Sequence, residues 1–97
     1  MSRKYKIFET KRFSNDLQLL ARHRKTILEE KMQEYVYPQL KKEPHFGANI
    51  KRLRDWHPPT WRYRVGEWRF FYIIDEELKV ISMISASHRK SAYRKKR

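Results

Sequence analysis

WRYRVGEWRFFYIID, Trp61 to Asp75, alternates like a strand, breaks at Gly66-Glu67 and alternates again. A two-residue break led by Gly is the signal of a β-hairpin with a type II′ turn, which needs a positive φ at its first central residue. That turn fixes the register. Val65 faces Trp68, Arg64 faces Arg69, Tyr63 faces Phe70 and Arg62 faces Phe71. Directly opposed residues share a face with Cβ atoms roughly 5 Å apart, where like charges destabilise the sheet. The opposed Arg64 and Arg69 are therefore a local cost, and a cost of that kind points to an absent anion. The plain alternative is that both guanidiniums splay into water.

The 97 residues suffice for one domain, 1-97, with a basic tail at about 94-97. Aromatic residues make up 14% of the chain, which supports a packed core rather than disorder. Without cysteine there is no disulfide and no thiolate metal site, which fits a reducing compartment. No apolar run has the length of a membrane span, and no apolar segment follows the basic N-terminus. The expectation is a soluble, cytoplasmic protein with no membrane partner. The formal charge is +13, from 24 Lys and Arg against 11 Asp and Glu. Such an excess implies a polyanionic partner, nucleic acid before acidic protein or membrane surface.

Upstream of the hairpin, "KYKIFE" (Lys4 to Glu9) alternates as a first strand. Thr10 is placed to cap a helix from Lys11, whose residues Phe13, Leu17, Leu20 and Ala21 share one face. "RHRK" (Arg22 to Lys25) reads as a break. A second helix carries Leu28, Met32, Tyr35 and Val36, and Pro38 should kink it or end it near Tyr37, since Pro lacks the N–H and clashes with the preceding turn. "NIKRLRDWHPPT" reads as basic and irregular, because Pro58-Pro59 cannot lie inside a sheet. "DEEL" is a turn, "KVISMISA" a last strand, and "SHRKSAYRKKR" a short helix or tail. Helices first and strands last indicate an α+β domain: two N-terminal helices on a mainly antiparallel twisted sheet of about four strands. One sheet face takes the helices, and the other is free to gather arginines.

The glycine-rich phosphate loops and the G-x-S-x-G motif are absent, and the chain has two glycines in all. The four histidines form no H-x-x-x-H pair, so neither a metal nor another cofactor is expected; His23 and His45 read as surface or loop residues. What remains is basic and aromatic: Lys51, Arg52, Arg62, Arg64, Arg69, His88, Arg89 and Tyr93. Such a set suits RNA cleavage by the 2′-hydroxyl. That reaction needs a base for the 2′-OH proton, cations on the phosphorane and an acid for the leaving 5′-oxygen. Arginines supply the charge without metal. Tyr93 is suited to stack on an unpaired base, and His88 to transfer a proton. Packing roles are the bland alternative for both, and solvation for Arg52 and Arg54.

"PHFGANIKRL", then "WRYRVGEWRFFYIIDEE", then "ISMISASHRKSAY" resembles, as an ordered set, the RelE/ParE toxin superfamily, and most closely its RelE-like members. The resemblance spans nearly the whole chain. It implies the toxin of a type II toxin-antitoxin system: a cytoplasmic mRNA interferase that cleaves mRNA in the ribosomal A site, held by a cognate antitoxin. The +13 charge makes an acidic antitoxin the expectation, and the free toxin is expected to be monomeric. The resemblance also implies catalytic positions at Arg62, Arg64, Arg69, Arg89 and Tyr93, with His88 added from the residue chemistry. RNA contacts are expected at Lys51, Arg52, Arg54, Lys90 and Arg94. One departure bears on mechanism. RelE carries lysines where this chain has Arg62 and Arg64, and an arginine, which stays protonated, serves far less well as a general base, which raises the weight on His88. Two other classes stay open: a ParE-like toxin acting on DNA gyrase, and an inactive homologue that binds nucleic acid or antitoxin.

Overall fold

The computed structural model of the chain describes residues 4–20 and 25–88. The expected break at Arg22 to Lys25 falls largely outside them, as do Arg89, Lys90, Tyr93 and Arg94. Strand β1 (Lys6–Glu9) leads into α1 (Lys11–Leu20). Then α2 (Lys25–Lys31), a π-helical turn (Met32–Val36) and α3 (Tyr37–Lys42) follow one another. Four strands complete the chain: β2 (Ile50–Arg52), β3 (Trp61–Val65), β4 (Trp68–Asp75) and β5 (Val80–His88). The sheet order is β1-β5-β4-β3-β2. The β5–β4, β4–β3 and β3–β2 pairs are antiparallel, and β1 lies parallel to β5.

The α+β class is as read, and two local expectations are corrected. The sheet has five strands rather than about four, because Ile50–Arg52 pairs with Trp61–Tyr63. This short strand has little pattern of its own; it forms because β3 would otherwise present an unpaired edge. Of the two outcomes expected at Pro38, an end near Tyr37 does not occur: the helix continues as α3 to Lys42. The Tyr37 N–H reaches back five residues to the Met32 carbonyl, so the turn before Pro38 is one residue wider than an α-turn. That widening relieves the clash that a proline ring makes with the carbonyl four residues earlier.

Gly66 takes φ +59° at the head of the hairpin turn, and the register of β3 on β4 is the one its position predicts, Arg64 opposite Arg69 included. The core lies between the helices and one sheet face. Phe13, Leu28, Met32, Val36 and Leu40 meet Tyr63, Trp68, Phe70, Tyr72, Ile81 and Met83, all buried. Each such side chain contributes about 1.5–3 kcal/mol by leaving water. Tyr35, expected on the inner helical face, is instead exposed. Thr10 caps α1 as expected: its Oγ1 accepts from the Phe13 N–H at 3.2 Å and donates to the Met83 carbonyl at 2.8 Å. One turn on, Asp16 accepts the Ala86 N–H at 3.0 Å. By that point β1 has given way to α1, so the helix satisfies a β5 donor that no strand reaches.

At the far end of the sheet His45 joins three segments. Its Nδ1 lies 3.0 Å from Glu43 and its Nε2 2.5 Å from Glu76, which also accepts from the Tyr5 hydroxyl. Lys79 Nζ lies 3.5 Å from Glu76 and 4.9 Å from the centre of the Tyr5 ring.

Candidate functional site

The hairpin register sorts the basic residues between two faces. Trp61, Tyr63 and Val65 point at the helices, so Arg62 and Arg64 point away from them. Arg69 and Phe71 oppose Arg64 and Arg62 and share that open face. From β2, Lys51 opposes Arg62 and joins it. On β5, Ser87 opposes Arg69 and Ser85 opposes Phe71. Two rows therefore cross the open face side by side: Lys51, Arg62, Phe71, Ser85 and, nearer the turn, Arg64, Arg69, Ser87.

Arg62 sits in the middle of this charge. Its Nε is buried with no hydrogen-bond partner. Burial, and then the charges of Arg69 and Arg64, hold its pKa below the ordinary arginine value. Arg64 Nε reaches only the Gly66 carbonyl at 3.4 Å, a weak contact. Among the described residues no carboxylate pairs with any of the three arginines. Three guanidiniums on one face without a counter-charge form a site that gains from any bound anion, because the anion removes mutual repulsion as well as adding attraction.

The other expected residues divide. Arg52 opposes Trp61 and stacks over its ring, 5.9 Å from the centroid, which puts it on the helix-facing side and away from Lys51. Arg54 stands in the loop after β2 beside Trp56 and His57. His88 opposes Trp68, and its ring meets the Trp68 indole edge-on at 4.7 Å. Trp68 is a core residue, so His88 lies on the face opposite the arginines. The reason is a β-bulge. Phe71 opposes Ser85 but Tyr72 opposes Met83, which leaves Ile84 as the extra residue. A one-residue insertion reverses every side chain beyond it. Plain alternation from Ile81 and Met83 would put His88 among the arginines; the bulge turns Ala86 and His88 inward and Ser85 and Ser87 outward.

Sequence reasoning missed Trp56. It reaches over the open face and stacks on Phe71, ring centroids 6.0 Å apart and planes 7° from parallel. No local pattern announces this contact, since it depends on where the loop between β2 and β3 lies.

No family model matches the sequence, and no curated protein does. Solved structures do. A chain of the toxin-antitoxin complex RelBE2 from Mycobacterium tuberculosis is 26% identical, with a TM-score of 0.69 over 89% of this chain and 99% of that one. A chain of the RelB-RelE antitoxin-toxin complex from Methanococcus jannaschii is 25% identical, with a TM-score of 0.53 over 93% of this chain and 99% of its own. A mutant of the E. coli toxin RelE in the free state is 21% identical, with a TM-score of 0.63 over 93% of this chain and 88% of its own. The chain has a RelE-like fold, as its hairpin and late segment suggest.

Proposed function

We propose that this chain is the toxin of a toxin-antitoxin pair and acts as an endoribonuclease on mRNA in the ribosomal A site. The observation that carries the reading is an arginine face with no carboxylate partner among the described residues: Arg62, Arg64 and Arg69 together, with the Arg62 Nε buried and without a hydrogen-bond partner there. The likeness to RelE toxins crystallised with RelB antitoxins supports the toxin role and the antitoxin partner.

In the proposed reaction the 2′-oxygen attacks the adjacent phosphorus as its proton leaves. The bond from phosphorus to the 5′-oxygen breaks, and that oxygen takes a proton. The products are a 2′,3′-cyclic phosphate and a 5′-hydroxyl. The three arginines bind the phosphate and stabilise the extra charge of the phosphorane, the largest electrostatic demand of the step. Lys51 extends the cationic row along the RNA backbone. Arg89 and Tyr93 complete the site in this reading, from the segment that follows β5 just past Ser87, the residue opposite Arg69. Tyr93 then stacks on a base or transfers a proton.

The antitoxin is proposed to be acidic. Charge steering to a +13 surface should make its association faster at low salt, since screening acts over about 8 Å at physiological ionic strength.

Mapping mRNA 5′ ends shortly after brief induction tests the activity. The expected result is new ends inside codons of translated messages, lost in Arg64→Ala. Growth arrest with intact messages and trapped gyrase would overturn the ribonuclease reading in favour of a gyrase toxin.

A further inference from the structure

The loop between β2 and β3 holds a feature that phosphate binding does not explain. Trp56 lays one face of its indole on Phe71, nearly parallel. Phe71 opposes Arg62, so the stack stands directly beside the arginine cluster. Yet Trp56 remains 48% exposed. The indole surface not spent on Phe71 is therefore available to a second ring. The exposed part borders a cavity of about 330 Å³, also lined by Arg52, Arg54, Asp55, His57 and Pro59. The chain enters the loop through Asp55 at φ +58°, a left-handed turn that aspartate tolerates better than most residues.

An aromatic ring whose back is fixed and whose front is open, with arginines around it, has the chemistry of a base platform. Single-stranded nucleic acids are held by such pairings of π-faces with cations that follow the backbone. A phosphate site alone reads no base. A stacking surface beside it restricts which nucleotide lies where, because phosphate and base of one nucleotide are joined through a single sugar and stay within a limited distance of each other.

We infer that Trp56 is a nucleobase-binding residue. An unpaired RNA base stacks on its open face, next to the nucleotide whose phosphate the arginines hold, and Arg54 meets the adjoining backbone. This rests on the ribonuclease reading above. It assigns to the β2–β3 loop the placement of one message base relative to the cut.

The test is single-turnover cleavage on ribosomes programmed with messages that each carry one abasic nucleotide in or beside the exposed codon. Trp56→Leu keeps an apolar cover over Phe71 and removes the π-face; Trp56→Phe restores a ring. Trp56→Leu should raise the half-saturating toxin concentration about five- to hundredfold, the worth of one stacked base, and Trp56→Phe should recover most of that loss. One abasic position should cost the wild type a similar factor and cost Trp56→Leu nothing further. Additive losses at every position, or a Trp56→Leu variant that saturates like the wild type, would overturn the inference and leave the ribonuclease standing. A wild type that cuts no message, or an Arg64→Ala variant that cuts like the wild type, would instead bring down the ribonuclease reading itself.

Discussion

Arg64 and Arg69 face each other across the β3–β4 hairpin, one residue from its turn, with Arg62 beside them and no carboxylate paired to them among the described residues. The arrangement is unfavourable in the empty protein and favourable once an anion arrives. Arg64→Ala or Arg69→Ala should therefore leave stability unchanged or raise it by about 0.2–1 kcal/mol, the scale of a cross-strand pair. Both should abolish growth arrest. Millimolar sulfate should raise the melting temperature of the wild type by mass action and do so less in either variant. Thermal melts with and without sulfate, read beside growth curves, check all three. A large fall in melting temperature would make the arginines structural.

Gly66 holds the hairpin register through φ +59° and has open space around it. Gly66→Ala meets no clash, so its whole cost is conformational. It should lose about 1–2 kcal/mol, the left-handed penalty for a residue with a Cβ. Chemical denaturation gives the value. No loss at all would mean the turn had changed type.

Much of this was legible because glycine punctuates a period-2 pattern. Gly66 gave the turn, the turn gave the register, and the register put Arg64 opposite Arg69. The capping role of Thr10 was legible for a similar local reason. The unreadable parts are set by other segments. Strand β2 exists because the edge of β3 is there to pair with. Helix continuity through Pro38 depends on a widened turn at Met32–Val36. The face of His88 depends on the bulge at Ile84, and Trp56 finds Phe71 only once the loop has crossed the sheet.

Asp16 accepts the Ala86 N–H where β5 has lost its β1 neighbour. Asp16→Ala leaves that donor without its partner and should cost about 1–3 kcal/mol. Asp16→Asn keeps an acceptor and should cost less. Denaturant melts of the two variants test the order; equal losses would show that the carboxylate charge, not the acceptor, matters.

The His45 cluster predicts a dependence on acid. Hydrogen bonds from the His45 backbone and ring hold the Glu43 carboxyl below its ordinary 4.5. For Glu76, partial burial acts upward, but hydrogen bonds from His45 and Tyr5 and the charges of His45 and Lys79 bring the net shift below 4.5. Carboxylates with depressed folded pKa values stabilise the fold above their unfolded values and lose that contribution as pH falls through the folded ones. The melting temperature should therefore drop below about pH 4.5. His45→Gln should flatten that drop while costing no more than about 1 kcal/mol at neutral pH, since both carboxylates are about half exposed and screened by solvent. An acid limb of the same steepness in His45→Gln would remove this cluster as its cause.

The last expectation concerns the proton. His88 has the right intrinsic chemistry for a base. Its ring, however, lies edge-on against Trp68 on the helix-facing side, while Arg62, Arg64 and Arg69 occupy the other face. A general base must come within about 3 Å of the proton it takes, directly or through one water. A side chain on the opposite face of the same sheet does not meet that condition at a phosphate held by the arginines. His88→Gln should therefore lower the melting temperature, through the lost contact with Trp68, and leave the single-turnover rate and its pH profile largely intact. Tyr93→Phe should be the more damaging change to the chemical step if its hydroxyl moves the proton, and nearly silent if its ring only stacks. Cleavage on programmed ribosomes across pH separates these outcomes. A hundredfold loss in His88→Gln, with the acid limb of the profile gone, would show that the chemistry takes place where His88 can reach it, and the arginine face would then be a binding surface rather than the reaction centre.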